Sequence, residues 1–158
     1  MTNFYKKGLA AQMGMTIMEL LVIVAVLGII LSIVLPQFSK IKENQVLKSA
    51  TSDVLSSVNK ARSQTLSSLS SSEYGVHFQS DQVIIFKGTV FSAGAGDNEI
   101  INIIHPAAIS TITLTGGGSD IYFNRLSGVP SATGSIIISS TNFTKTITIS
   151  ATGATSAD

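Results

Sequence analysis

The sequence predicts an α+β chain: a long N-terminal α-helix, transmembrane in its first half and amphipathic in its second, packed on an antiparallel β-sheet head. Three observations predict it. Residues 20–39 contain no charge, apolar residues then recur at helical spacing as far as Ala61, and from Tyr74 onward the alternation has a period of two. The 158 residues suit one domain. Only 12% are charged and 44% are hydrophobic, where a soluble domain carries about 25% charge, so part of the chain belongs out of water. A net charge of +1 provides no basic stripe for nucleic acid. The absence of cysteine removes disulfides, thiolate zinc sites and cysteine nucleophiles together. With 23 Ser and 15 Thr, polar surface is expected to be made of hydroxyls in place of charges.

The first element is the aliphatic run LLVIVAVLGIILSIVL at residues 20–35. Counted from Met15, its 21 residues reach about 30 Å at 1.5 Å per residue, the thickness of a bilayer's hydrocarbon core. A cleaved secretory signal with Lys6 and Lys7 as its basic region fits less well. Such signals have an apolar core of about 7–15 residues and a small-x-small cleavage site, and residues 34–38 (Val-Leu-Pro-Gln-Phe) contain none. Glu19 stands at the amino-terminal edge of the run. An acid at membrane depth costs roughly 2.5–3.5 kcal/mol and calls for a partner; at the headgroup boundary, water and the helix amino terminus tolerate it. Both placements fit the sequence. Pro36 removes a backbone donor and crowds the carbonyl of Ser32, which predicts a bend near the membrane exit.

Beyond Pro36, residues 37–72 read as an amphipathic stalk helix and a serine-rich linker. Leu47, Ala50, Val54, Val58 and Ala61 share one face, while Lys48, Ser52, Asp53, Ser56, Ser57, Asn59 and Lys60 are assigned to the wet side. The helix should fade at residues 67–72, because serine competes for backbone hydrogen bonds. Residues 73–158 form the β-rich head. Tyr74, Val76 and Phe78 alternate with polar residues, residues 83–86 make a short buried run, and Thr111, Thr113 and Thr115 alternate with Ile112 and Leu114. Further strands are expected at residues 100–104, 120–126, 134–139 and 145–150, bounded by Gly, Pro, Asn and Ser. The wet side of this sheet is expected to be paved with Thr and Ser.

The segment Gly14-Met15-Thr16-Ile17-Met18-Glu19, followed by the aliphatic run, resembles the amino terminus of the type IV pilins and type II secretion pseudopilins. The resemblance implies a leader peptide at residues 1–14, cut after Gly14 by prepilin peptidase, with methylation of the new terminus at Met15. Glu19 is then the fifth mature residue, the family's glutamate, and Gly28 and Pro36 fall on mature positions 14 and 22, often glycine and proline. Met15 departs from the usual phenylalanine. The same resemblance implies that Glu19 meets the terminal amine of a neighbouring subunit, and that the stretch from Gly28 to Pro36 loosens in the filament. It also implies a bacterial inner-membrane protein, single-pass with its head outside the cytoplasm, which later joins a pilus or pseudopilus. Partners would be other pilins or pseudopilins in a helical filament, prepilin peptidase and an inner-membrane assembly platform. Loss of Lys6 and Lys7 with the leader takes the 10 basic residues to 8 against 9 acidic, and the net charge from +1 to −1.

The head resembles the H-type pseudopilins and the FimT or FimU minor pilins through Ala61-Arg62, the segment at residues 121–128 and a hairpin closing at Gly153. Elsewhere the sequence is poor in chemistry. His77 and His105 are placed on different strands and complete no metal or triad spacing. Gly116, Gly117 and Gly118 lack the Lys-Ser or Lys-Thr of a phosphate loop and read as a turn. Asp97, Asn98 and Glu99 offer oxygens of the kind calcium binds, short of a full shell, so they are weak calcium candidates against a solvated loop, and no cofactor is expected. Asn142-Phe143-Thr144 matches a glycosylation acceptor pattern. A structural filament subunit, with no enzymatic role, is therefore the expected function. The alternative is a pilus-displayed module for DNA uptake or surface adhesion, which has only Arg125 and Lys145 as basic residues after Lys87.

Overall fold

The computed structural model describes residues 14–158; of the expected leader, only Gly14 lies among them. The chain divides into two compact units between Phe38 and Ser39. One α-helix, α1 (Ile17–Leu66), contributes to both. It is followed by a short 3₁₀ turn, Leu69–Ser71, and by eight strands: β1 (Tyr74–Phe78), β2 (Gln82–Lys87), β3 (Glu99–Asn102), β4 (Ala108–Leu114), β5 (Asp120–Phe123), β6 (Gly134–Ser139), β7 (Thr144–Ile149) and β8 (Thr155–Ala157). The helix runs through Gly28 and Pro36 as one assigned element.

Within the unit from Ser39 to Asp158, α1 buries the predicted stripe: Leu47, Ala50, Val54, Val58 and Ala61. Thr51, Ser57 and Thr65 are buried beside them. Ser57 thus departs from the wet side to which its polarity assigned it. Each of these hydroxyls turns back on its own helix, donating to the carbonyl four residues earlier: Thr51 to Leu47 at 2.8 Å, Ser57 to Asp53 at 2.7 Å and Thr65 to Ala61 at 3.0 Å. A hydroxyl satisfied this way is tolerated in a core, since burial is costly only for a polar group without a partner. Thr65 also anchors the following strand, because its Oγ1 accepts the backbone N–H of Tyr74 at 2.9 Å and so ties β1 to the last turn. Leu66 is the last helical residue, at the edge of the serine-rich stretch where the helix is expected to fade. Ser68, Ser70 and Ser71 then take left-handed φ angles of 51°, 52° and 53°.

The single sheet expected for the head is two four-stranded antiparallel sheets, ordered β3-β2-β1-β5 and β4-β6-β7-β8. Alternation finds a strand but does not name its neighbour. The division is made at the β3–β4 connection and the start of β4, where the backbone N–H of Ile103 donates to the carbonyl of Asp81 and that of Ile109, in β4, to Ser80. These bonds pin the connection to the β1–β2 turn, so β4 leaves the first sheet and pairs with β6. Val76, Phe78, Val83, Ile85, Ile121 and Phe123 of the first sheet form one core cluster with Ile109, Ile136, Ile138, Ile147 and Ile149 of the second and with the buried stripe of α1. On the opposite side of the second sheet Thr111, Thr113, Thr144 and Thr148 are exposed, the expected hydroxyl surface. Its last strand, β8, was not among the predicted strands.

Candidate functional site

The functional region that the sequence marks is the start of α1. Gly14, Met15 and Thr16 precede the helix and are exposed. The carbonyl of Thr16 accepts the first helical bond from Leu20 N–H at 3.1 Å, and its Oγ1 accepts the backbone N–H of Glu19 at 3.2 Å. Thr16 is therefore the N-cap, and Glu19, in the first turn, stands at the position of the acid in a capping box. Negative charge is favoured there by the helix dipole.

From this point to Phe38 no large apolar side chain is covered. Exposure runs from 42% at Ile23 to 82% at Ile17, across 17 large apolar residues counting Met15 and Phe38. Burying such a side chain stabilises by about 1.5–3 kcal/mol, so leaving them all in water would forfeit tens of kcal/mol, more than the ~5–15 kcal/mol net stability of a domain. The segment is long and apolar enough to cross a membrane. Gly28 and Pro36 lie inside it, and a Cβ built on Gly28 would meet nothing within 4 Å.

The head places the remaining sequence features. Arg62, on α1, donates from Nε to the carbonyl of Gly128 at 3.1 Å and from Nη2 to that of Thr152 at 2.9 Å. Gly128 and Gly153 have φ of 63° and 77°, and a Cβ on Gly153 would fall 2.5 Å from the Gly128 carbonyl oxygen and 2.8 Å from Arg62 Nε. The three features that carry the minor-pilin resemblance, Arg62, the 121–128 segment and the Gly153 hairpin, thus meet at one point. One guanidinium holds the β5–β6 loop and the β7–β8 turn against the helix.

Two of the three weak calcium candidates make side-chain contacts within the protein. Both carboxylate oxygens of Glu99, on β3, accept from Lys60 Nζ at 2.5 and 2.7 Å. Asn98 donates to the carbonyl of Ser92 at 2.8 Å, and Asp97 is exposed. Among the described residues no three acidic, histidine or cysteine side chains gather as a metal site. Gly116, Gly117 and Gly118 form a turn with positive φ at each residue. Asn142, the glycosylation-pattern residue, donates through its backbone N–H and Nδ2 to the Glu43 carboxylate at 2.7 and 2.8 Å. Those bonds, the side-chain one foremost, hold the Glu43 carboxyl below its ordinary value.

His105 lies in the β3–β4 connection and on no strand, a correction to its predicted placement. His77 is on β1, and its surroundings were not visible in the sequence. Its Nδ1 contacts Asp120 on the neighbouring β5, its Nε2 lies 3.0 Å from Gln79 Nε2, and its ring stacks on Phe91 at 3.9 Å between centroids. The register pairs His77 with Asp120 across the strands, a contact between residues 43 apart that no local spacing reveals. The cluster ties the β2–β3 connection to the outer side of the first sheet. No family model, curated protein or solved structure matches the chain.

Proposed function

We propose that the chain is a structural subunit, a minor pilin or pseudopilin of a type IV pilus or type II secretion pseudopilus. In this reading prepilin peptidase removes residues 1–14, Met15 becomes the methylated terminus, and the helix carries the subunit from membrane to filament. The observation that carries it is the uncovered apolar segment of α1, whose sole acid, Glu19, lies in the first turn directly after Gly14-Met15-Thr16. An apolar surface of that size needs lipid or other copies around it. Cleavage would place a charged amine on Met15, and pairing of that amine with Glu19 of a neighbour would fix axial register more than it adds net stability. Gly28 and Pro36 would supply the place where the helix loosens during transfer.

Glu19→Ala tests the assembly role. The variant should be processed as the wild type is, yet be depleted from filaments sheared from cells that supply the rest of the assembly machinery. Undiminished incorporation would remove Glu19 from assembly. The display alternative predicts that the protein retards DNA in a gel at low salt, whereas a filament subunit with so few exposed basic residues in its head gives no shift.

A further inference from the structure

The bond proposed for cleavage ends two residues before a side-chain cap. Thr16 meets both criteria of an N-cap: its carbonyl takes the first helical hydrogen bond, from Leu20 at 3.1 Å, while its hydroxyl takes the N–H of Glu19 at 3.2 Å. An N-cap residue has non-helical backbone, so the cap fixes where α1 stops on its amino-terminal side. Gly14 and Met15 are consequently outside the helix and exposed, and a Cβ built on Gly14 would find nothing within 4 Å. A peptidase needs such a stretch, because it must surround an accessible peptide bond that is free of regular structure.

We propose that Thr16 is a positioning residue for processing: by capping α1 it keeps the Gly14–Met15 bond out of the helix, where the peptidase can bind it. This rests on the processing reading given above. The neighbouring residues explain why the cap matters. Met15 has no oxygen to offer at the N-cap, and neither do Ile17 and Met18. With Thr16 replaced by a residue that cannot cap, the next acceptable N-cap upstream is Gly14 itself, since glycine is tolerated there. A helix begun at Gly14 makes Met15 its first helical residue and draws the scissile bond into the helix start. Hydrolysis adds one water across that amide, leaving a carboxylate on Gly14 and an amine on Met15. No atom of Thr16 takes part, so its role is conformational.

The test follows cleavage of the full-length chain in membrane vesicles by prepilin peptidase, read by intact mass against time, for wild type, Thr16→Ser, Thr16→Asn, Thr16→Ala and Thr16→Val. Ser and Asn restore a capping oxygen and should be cut at close to the wild-type rate, while Ala and Val, which cannot cap, should be cut about fivefold more slowly. Amide hydrogen exchange at Glu19 in the uncut chain should quicken in Ala and Val and return to normal in Ser. Ala and Val cleaved at the wild-type rate would overturn the role of Thr16 while leaving processing after Gly14 intact. Asn cleaved as slowly as Ala, with Glu19 still protected, would mean that the peptidase reads the threonine directly, and would overturn it too. A wild-type product that does not begin at Met15 would overturn the processing reading and this inference with it.

Discussion

Between residues 20 and 35 every large aliphatic side chain of α1 is exposed, whereas Leu47, Val54 and Val58 on the same helix are only 1% exposed or less. The two stretches use the same residue types, and their patterning separates them. The later one alternates a narrow apolar stripe with Lys48, Asp53 and Lys60, so that one face is dry and the other wet. The earlier one is apolar all round, and a helix of that kind has no face to give to water. An amphipathic stripe is matched to a core within its own chain; an all-round apolar helix is matched to a medium or to other chains.

Substitutions should therefore act on different properties in the two units. The largest effect is expected in the closed one: Phe123, fully buried, replaced by Ala should cost about 3–5 kcal/mol of head stability, seen as a lowered urea midpoint of the detergent-solubilised chain. Leu27→Ala, in the exposed stretch, should leave that midpoint unchanged. Placing a charge there should instead damage membrane insertion, with Leu27→Arg costing roughly 2.5–3.5 kcal/mol, measured as the fraction of chain that resists carbonate extraction. Wild-type retention of Leu27→Arg would mean the segment is not in lipid.

Within the closed unit, the Arg62 clip should rank next. Arg62→Leu leaves the carbonyls of Gly128 and Thr152 without their donor and should cost about 1–3 kcal/mol. Arg62→Lys should recover little, because a single ammonium cannot reproduce the spread of Nε and Nη2; a melting temperature restored by lysine would show that charge alone matters. The smallest effect is expected at Glu43. Its carboxyl is held below the ordinary glutamate value by the Asn142 bonds, so folding favours the ionised form. The stability this adds is complete above the unfolded value and is lost as pH falls through the lower, folded value. Glu43→Gln should flatten that part of the acid dependence of the urea midpoint and change it little at neutral pH.

The sequence made the periodic elements legible. The stripe from Leu47 to Ala61, the buried run at residues 83–86 and the alternating threonines from Thr111 all lie where their spacing put them, because spacing is a local property. Ser57 was misplaced, since a hydroxyl that bonds its own helix looks identical in sequence to one that faces water. The second sheet was not separable from the first, because strand pairing was settled by backbone bonds from Ile103 and Ile109 to the β1–β2 turn. The contacts of Arg62 with Gly128 and Thr152 and of His77 with Asp120 were hidden for the same reason: they join residues 43 to 90 apart, and two of these partners are main-chain carbonyls that any residue can present. At the amino terminus the cap made by Thr16 emerged only from hydrogen-bond geometry.

The contrast between the two stretches of α1 has its most direct test in the mature terminus of the protein. Intact mass of chain extracted from the membranes of cells that express prepilin peptidase should show loss of residues 1–14 and gain of one methyl group on Met15. A full-length mass, or a mature chain beginning at any other residue, would contradict the account.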